Sequence, residues 1–336
     1  MKRSLSAIQP TGVVHIGNYI GAISQFVKLQ EETEAFYFLV DYHAMTVPFH
    51  PEELHENLLS AAATYLASGL DPNKATIFQQ SQVQEHTELA WILACLTKMG
   101  EAERMTQFKE KAPRAERASR ADGTERASVE LFTYPILMAA DILLYDTDSV
   151  PVGDDQKQHV ELARDLAERF NKLFVDTFTV PEPRIKKAGA RIMALDDPTK
   201  KMSKSAGSAK SYIALSDDDK TIAKKIRSAQ TDSMGTIDYD PKNRPGISNL
   251  ITICSELTDA SPAQIVKEFE GKGYKEFKEA LAHIVIEFVA PIRERQRELL
   301  ADKAELVRIL NEGSKKAREV ASRKMTQVRE ALGIRL

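Results

Sequence analysis

Short apolar runs alternate with longer amphipathic stretches through the first half of the chain. The apolar runs have the length and composition of strands and lie at 4–8, 35–40, 75–81 and 149–153. The stretches around them have helical spacing and cover 17–32, 51–69, 86–100, 130–146 and 154–174. Alternation of this kind predicts βαβ units, and therefore an α/β fold in which helices flank a parallel sheet.

The pattern changes after the apolar run ARIMAL at 190–195, which we take as the last strand. Residues 196–211 are polar and rich in lysine, as expected of a mobile loop, and the remainder of the chain has helical spacing. These shifts predict two domains, an α/β domain over 1–205 and a helical domain over 206–336.

Composition and charge narrow the class of protein. With 336 residues, of which 43% are apolar, the chain is long and apolar enough for a globular fold. A net charge of −3 provides no overall basic field, so nucleic-acid binding would have to use a local patch. One such patch is 291–336, with twelve lysines and arginines against seven acidic residues; taken alone, a solvated helix surface explains it better.

The cysteines argue against a structural zinc site, and the hydropathy of the chain argues against a secreted or membrane-spanning protein. Cys95 and Cys254 lack the paired spacing of a structural zinc site, and we expect both to be buried free thiols. The first twenty residues do not resemble a signal peptide, and no apolar window approaches the roughly 18 residues of a membrane span. We therefore expect a soluble cytoplasmic protein. We also expect Trp91, the single tryptophan, to be a core residue of the helix that contains it.

The turn after the first predicted strand, QPTGVVHIGN at 9–18, joins glycine and proline to a histidine and an asparagine. Glycine and proline there can simply end a strand and begin a helix. The alternative is a nucleotide site, because flexible backbone and polar groups at the opening of a helix suit a phosphate. In open parallel sheets, ligands bind at such crossovers.

Two segments favour the nucleotide site when they are taken together. PTGVVHIGN at 10–18 and KMSKS at 201–205 resemble the HIGH and KMSKS signatures of class I aminoacyl-tRNA synthetases. Longer segments closely resemble the bacterial tryptophanyl-tRNA synthetases; they include GEAERMTQFKEK, TYPILMAADILLYD and VPVGDDQKQHVELARDLAERFN. The resemblance implies a Rossmann-like catalytic domain followed by helices that recognise the tRNA anticodon.

The resemblance implies activation of L-tryptophan with ATP to tryptophanyl-adenylate, and then transfer of tryptophan to the terminal adenosine of tRNA(Trp). A carboxylate attacks the α-phosphorus without a general base, so such an enzyme must position the reactants and offset negative charge. The resemblance also implies a homodimer, and one Mg²⁺ held by ATP oxygens and water. It implies neither DNA nor a membrane as a partner.

On the nucleotide side, the resemblance assigns catalytic roles to His15, Lys111, Lys201 and Lys204. It assigns ATP contacts to Gln9, Pro10, Thr11, His15, Gly17, Asn18, Gly153, Asp154, Asp155, Gln156, Ile192, Lys201, Met202, Ser203, Lys204 and Ser205. Lysines on a mobile loop can follow the departing pyrophosphate, and carboxylates can bind ribose hydroxyls. Asp154 and Asp155 fit a helix N-cap equally well, and Ile192 fits ordinary core packing.

Asp141 is the most informative residue on the amino-acid side. A carboxylate in the apolar helix MAADILLY is costly to bury, unless it turns to solvent or accepts from a backbone amide. In the resembled family this aspartate accepts the indole N–H, and a pocket built on that bond rejects phenylalanine. The rest of the implied pocket is Leu5, His43, Tyr134, Met138, Val150, Val152 and Gln156. Its apolar members fit ordinary core as well, and His43 fits a satisfied histidine at a strand end.

The chain departs from the resembled family in three places. Leu5 stands where an aromatic residue is frequent, AGSAK follows KMSKS in place of an acidic, proline-containing continuation, and the polar excursion at 112–128 is longer than usual. Three other functions stay open. A tyrosine–tRNA ligase shares both signatures, a small-molecule adenylyltransferase has a similar first turn, and a catalytically inactive paralogue would bind RNA without turnover.

Overall fold

The computed structural model describes residues 2–10, 13–106, 108–109, 129–153, 156–185, 191–203 and 208–335. Within these ranges one sheet is built from five parallel strands, in the order β3-β2-β1-β4-β5. The strands are β1 (Arg3–Ile8), β2 (Glu34–Leu39), β3 (Ala75–Gln79), β4 (Ser149–Val152) and β5 (Glu182–Ile185).

The strand order reverses between β1 and β4. Ser4 in β1 pairs with Ala35 on one side and with Ser149 on the other, and every described pairing is parallel. The chain therefore winds outward from β1 through β2 to β3, and then in the opposite direction from β4 to β5. At such a switch point the loops leaving the two central strands diverge, which opens a crevice at their carboxyl ends.

Helices cover both faces of the sheet and continue beyond it. A helical turn (Ile16–Asn18) and a π-helical turn (Tyr19–Ile23) precede α1 (Ser24–Glu32), α2 (Asp41–Ala44), α3 (Pro51–Ala67), α4 (Glu85–Leu96), α5 (Met99–Glu103), α6 (Glu130–Leu143), α7 (Lys157–Leu173), α8 (Asp219–Ser228), α9 (Pro245–Thr258), α10 (Pro262–Glu268), α11 (Tyr274–Ala301) and α12 (Lys303–Ala331). None of the helices in the described ranges combines the length and apolarity needed to span a bilayer.

In the described ranges, three large apolar cores hold these layers together, and a fourth, small one joins α3 to the last two helices. Phe36 and Tyr37 are neighbours in β2 and point to opposite faces of the sheet. Phe36 packs in a core with α4, α6 and α7, and Tyr37 in a core with α1 and α3. The third core lies among α8 to α11, and it includes Ile16 and Met202, one from each signature segment. The first turn and the start of KMSKS are thus fixed to the same helical core.

The last helix, α12, returns to the sheet and packs on β3. A Cβ at Gly313 would lie 1.8 Å from the carbonyl oxygen of Ile77, so only glycine permits this approach. Farther along the helix, Arg318 pairs with Glu85 of α4, and Lys324 pairs with Asp146 beyond α6. The C-terminal end of the chain is therefore part of the wall of the α/β layer.

The predicted α/β fold is confirmed, but the last strand is not the predicted one. β5 is Glu182–Ile185, whereas the described part of 190–195 contributes only an isolated bridge, from Met193 to Lys201. The sequence of β5 does not predict a strand, because it contains Pro183 and proline is unusual in strands. Proline is tolerated here since β5 lies at the edge of the sheet.

Two predicted burial states are also wrong. Trp91 is 73% exposed, and Cys95 is exposed as well, whereas Cys254 is buried as predicted. Both exposed residues lie on the outer face of α4, opposite Leu89 and Leu93, which are fully buried. Because α4 is apolar on nearly every side, its sequence does not reveal which face meets the core.

Candidate active site at the switch point of the sheet

A cavity of about 570 Å³ opens at the carboxyl ends of β1 and β4, where the strand order reverses. Pockets of roughly 300–1,000 Å³ hold small organic ligands. Apolar side chains from β1, β4 and α6 supply much of its wall, and its polar members include Gln9, His43, Thr46, Asp141 and Gln156. The cavity therefore combines a largely apolar surface with a few polar groups.

Asp141 lines this cavity, although its side chain is only 2% exposed. Three side chains hold the carboxylate. His86 Nδ1 lies 2.6 Å and Gln80 Nε2 lies 2.8 Å from Oδ1, and His43 Nε2 lies 2.8 Å from Oδ2. The carboxylate is thus held by side chains from three other segments of the chain, and it does not turn to solvent.

The same contacts keep the carboxylate ionised. Burial raises the pKa of Asp141, but the hydrogen bonds from His43 and His86 outweigh burial and lower that pKa to about 2. Burial, and then the negative charge of Asp141, raises the pKa of Tyr145, so the hydroxyl of Tyr145 keeps its proton. That hydroxyl lies 2.7 Å from His86 Nε2. Because an ionised carboxylate can only accept hydrogen bonds, His86 Nδ1 is the donor in its contact with Asp141.

All eight side chains predicted for the amino-acid pocket line the cavity: Leu5, His43, Tyr134, Met138, Asp141, Val150, Val152 and Gln156. The spacing of Tyr134, Met138 and Asp141 along α6 places them on one helix face. Val150 and Val152 alternate along β4 and so share one side of the strand. His43 meets the ring of Tyr134 edge-on, with the ring centres 6.3 Å apart. That these residues bind tryptophan stays a prediction.

His15, at the end of the first turn, is buried against the C-terminal part of the chain. Its backbone forms a bridge with Ala214, and its backbone N–H donates to Asn18 Oδ1 at 3.0 Å. Burial, and then the positive charge of Lys201, lowers the pKa of His15 to about 4, so the imidazole is neutral at pH 7. Within the part of the chain that the structure describes, its Nδ1 atom has no hydrogen-bond partner.

Met202 connects the second signature to the first. Its backbone N–H donates to the Ile192 carbonyl at 3.0 Å, and both side chains are buried. A Cβ on Gly17 would lie 3.0 Å from His15 Nδ1 and 3.4 Å from Met202 Sδ, so glycine lets the two signatures meet closely. Lys201, next to Met202, is exposed and forms no ion pair with any described residue.

The other predicted nucleotide residues divide into two groups. Gln9, Gly153 and Gln156 line the same cavity as Asp141, Pro10 is buried, and Ser203 is half-buried. The remaining ones lie outside the described residues, as does the excursion at 112–128; they are Thr11, Lys111, Asp154, Asp155, Lys204 and Ser205.

Three residues around the Asp141 carboxylate were not predicted: Gln80, His86 and Tyr145. Gln80 follows the carboxyl end of β3, and His86 lies at the start of α4. Polar residues just after a buried strand are the signal that could have drawn attention to the first two, because ligands bind at that edge. No comparable signal marks Tyr145, which follows an apolar helix.

Comparison with known proteins identifies the class. The family model for class I tRNA synthetases (W and Y) matches residues 2–290, and the chain belongs to that family. The tryptophan–tRNA ligase of Halalkalibacterium halodurans is 52% identical over 335 residues, which are 99% of this chain and 98% of that protein. The resemblance drawn from the motifs is therefore confirmed over the length of the chain.

Solved structures of tRNA synthetases resemble this chain over nearly its whole length. The tryptophanyl-tRNA synthetase of Campylobacter jejuni, complexed with ADP and tryptophan, has 40% identity and a TM-score of 0.84, over 98% of this chain and 99% of that one. The tyrosyl-tRNA synthetase of Aeropyrum pernix has 20% identity and a TM-score of 0.63, over 92% of this chain and 89% of that one. The tyrosine enzyme thus shares the fold.

Proposed function

We propose that the chain is a tryptophan–tRNA ligase, which forms tryptophanyl-adenylate from L-tryptophan and ATP and then transfers tryptophan to tRNA(Trp). One observation carries the proposal, namely the buried, ionised Asp141 in a largely apolar cavity at the switch point. Indole has a single N–H donor on an otherwise apolar surface, and this cavity matches both features. A relative that is half identical over its full length is itself a tryptophan–tRNA ligase.

On the amino-acid side, the indole N–H donates to Asp141 while Met138, Val150 and Val152 contact the ring. Phenylalanine fills less of the pocket and leaves the buried acceptor without its donor. A site built on such a hydrogen bond rejects the ligand that lacks it by a large factor, on the order of 10⁴. Selection against phenylalanine therefore needs no editing step.

On the nucleotide side, the neutral His15 and the amide of Asn18 donate hydrogen bonds to phosphate oxygens. Lys201, Lys204 and Lys111 offset the charge that builds up on the departing pyrophosphate. The described residues contain no group of three or more His, Cys, Asp or Glu side chains placed to hold a metal ion. As the resemblance implies, one Mg²⁺ is carried by ATP, with phosphate oxygens and water as its ligands.

The helical segment 206–336 is proposed to recognise the anticodon of tRNA(Trp). Nine of the twelve cations in 291–336 form ion pairs with described residues, and four of these pairs join α12 to the α/β layer. Lys315, Lys316 and Arg323 are exposed and have no ion pair within the described ranges. These three are the cations of the segment that are best placed to contact RNA phosphates.

The enzyme is proposed to be a cytoplasmic homodimer, with one tRNA spanning both subunits. The outer face of α4 and the start of α5 support a dimer interface, because Trp91 is 73% exposed, Cys95 is exposed, and Met99, which begins α5, is 67% exposed. Exposed patches of large apolar side chains are more often interaction sites than surfaces that stay in contact with solvent.

Charging of tRNA tests the proposal. The purified chain is mixed with ATP, Mg²⁺, labelled tryptophan or tyrosine, and transcripts of tRNA(Trp) or tRNA(Tyr). We expect label only where tryptophan meets tRNA(Trp). Tyrosylated tRNA(Tyr) would replace the proposal by the tyrosine enzyme. Binding of tRNA without charging of either transcript would favour the inactive paralogue.

A further inference from the structure

We propose that His86 is a positioning residue for selection of the indole N–H: it holds Asp141 so that a single acceptor site, on Oδ2, faces the cavity. The inference deepens the proposed tryptophan site and rests on it. His86 itself is fully buried and is not among the residues that line the cavity. It would therefore act through Asp141 and not by touching the substrate.

The hydrogen bonds of the carboxylate show why one acceptor site is left. Each carboxylate oxygen offers about two lone-pair positions. Oδ1 receives Gln80 Nε2 at 2.8 Å and His86 Nδ1 at 2.6 Å, so both of its positions are occupied. Among the described residues, Oδ2 receives only His43 Nε2, at 2.8 Å, from a side chain that itself lines the cavity. The second position of Oδ2 is the one left for a ligand donor.

The surroundings of His86 fix its ring in place. The ring centres of Phe38, Phe78 and Tyr145 lie 5.6, 6.1 and 5.5 Å from that of the imidazole. In this apolar setting, the hydroxyl of Tyr145 lies 2.7 Å from Nε2 and helps to hold the ring with Nδ1 toward Asp141. Tyr145, His86 and Asp141 thus form a chain of hydrogen bonds that ends at the cavity.

This arrangement makes a particular prediction about selectivity. Without the donor on His86, Oδ1 regains a free lone pair and the carboxylate can rotate, so its acceptor is no longer held toward the ring of the ligand. Recognition of the N–H then weakens, while recognition of the apolar ring by the walls does not. A merely structural role would weaken both alike.

The experiment compares tryptophan with β-(1-benzothiophen-3-yl)alanine, an isostere in which sulfur replaces the N–H. The measured quantity is the ratio of the two kcat/KM values for adenylate formation. It is measured in the wild type, His86→Leu, His86→Asn and Tyr145→Phe, with Tyr65→Phe as the matched control. Asparagine places an amide donor near the position of Nδ1, and Tyr65 is a buried tyrosine in the other core of the sheet.

We expect a ratio on the order of a hundredfold in the wild type, since the isostere leaves a buried acceptor unpaired. The ratio should fall about tenfold in His86→Leu, severalfold in Tyr145→Phe, and about threefold or less in His86→Asn, with no change in Tyr65→Phe. Should His86→Leu fail to fold, as shown by its thermal unfolding, Tyr145→Phe and His86→Asn decide the question.

Two outcomes overturn different claims. If the wild type uses both amino acids equally well, Asp141 does not accept the indole N–H, and the proposed tryptophan site itself is wrong. If the wild type discriminates but the ratio is the same in every folded variant, the site stands and the role of His86 is refuted.

Discussion

The amino-acid side and the nucleotide side of the site differ in how many of their polar groups are already engaged. On the amino-acid side, Asp141 is held by three donors, and the chain of contacts extends to Tyr145. On the nucleotide side, His15 Nδ1 has no described partner, and Lys201 has no described ion pair. Among the described residues, the carboxylate of the amino-acid half is therefore already hydrogen-bonded, whereas the nucleotide half includes two polar groups without a described partner.

The two ligands explain this difference. An indole offers one donor on an apolar ring, so its recognition depends on an acceptor whose position is fixed in advance. A triphosphate brings several charged oxygens whose charge shifts during the reaction. Donors that are not already paired within the protein can follow that charge toward the leaving pyrophosphate. We therefore propose that selectivity depends on the amino-acid half, whose acceptor is held in place, and that catalysis depends on the nucleotide half.

The largest effect is expected from Asp141→Ala, which breaks the amino-acid half. Two buried donors, Gln80 and His86, and the half-buried His43 lose their acceptor, and the indole N–H loses its partner, so kcat/KM for tryptophan should fall about a thousandfold. Selection against phenylalanine should relax as well. Adenylate formation with both amino acids is the measurement, and Asp141→Asn is a control for lost volume. Unchanged selectivity in a folded variant would make the aspartate structural.

A smaller effect, confined to catalysis, is expected from Lys204→Ala. Lys204 lies outside the described residues, and its role is inferred from the KMSKS resemblance. Loss of one cation at the pyrophosphate should slow adenylate formation about a hundredfold, which is on the order of 3 kcal/mol, and leave tryptophan affinity unchanged. The matched control is Lys200→Ala, because Lys200 is ion-paired with Asp197 at 2.8 Å. Rates alike in the two variants would remove Lys204 from the mechanism.

The lowered pKa of His15 predicts a dependence of stability on pH. The folded protein holds this pKa near 4, below the ordinary value of 6.5, so the unfolded chain binds the proton more readily between these values. His15 therefore leaves the free energy of unfolding unchanged above about pH 6.5 and lowers it progressively as the pH falls toward 4.

Urea unfolding at pH 7 and pH 4 measures this contribution. The free energy of unfolding should fall by about 2–3 kcal/mol more in the wild type than in His15→Asn, which cannot titrate. Many carboxylates also titrate in this range, and the comparison with the variant cancels their effect. Parallel losses in the two proteins would show that burial does not lower the pKa of His15.

The smallest effect is expected from Gly17→Ala, which perturbs the contact between the two signatures. The added Cβ would press on His15 Nδ1 at 3.0 Å, so KM for ATP should rise a few-fold while KM for tryptophan stays unchanged. Gly21→Ala is the control, since a Cβ there meets nothing within 4 Å. An equal rise for both substrates would mean that the two halves are less separate than their contacts indicate.

The sequence predicted what is local or carried by a motif. Continuous apolar runs such as 35–40 predicted the buried strands, and the motifs of the resembled family named Tyr134, Met138 and Asp141 as pocket residues. The partners of Asp141 escaped prediction because Gln80 and His86 lie 61 and 55 residues away along the chain. Their meeting depends on how the strands are ordered in the sheet, and local patterns do not encode that order.

The central claim is that the fixed half of the site selects tryptophan for activation. Amino-acid-dependent exchange of labelled pyrophosphate into ATP, with each of the twenty amino acids tested separately, examines it most directly. We predict exchange with tryptophan alone. Exchange with tyrosine in place of tryptophan would contradict the claim. The absence of exchange with every one of the twenty amino acids would also contradict it.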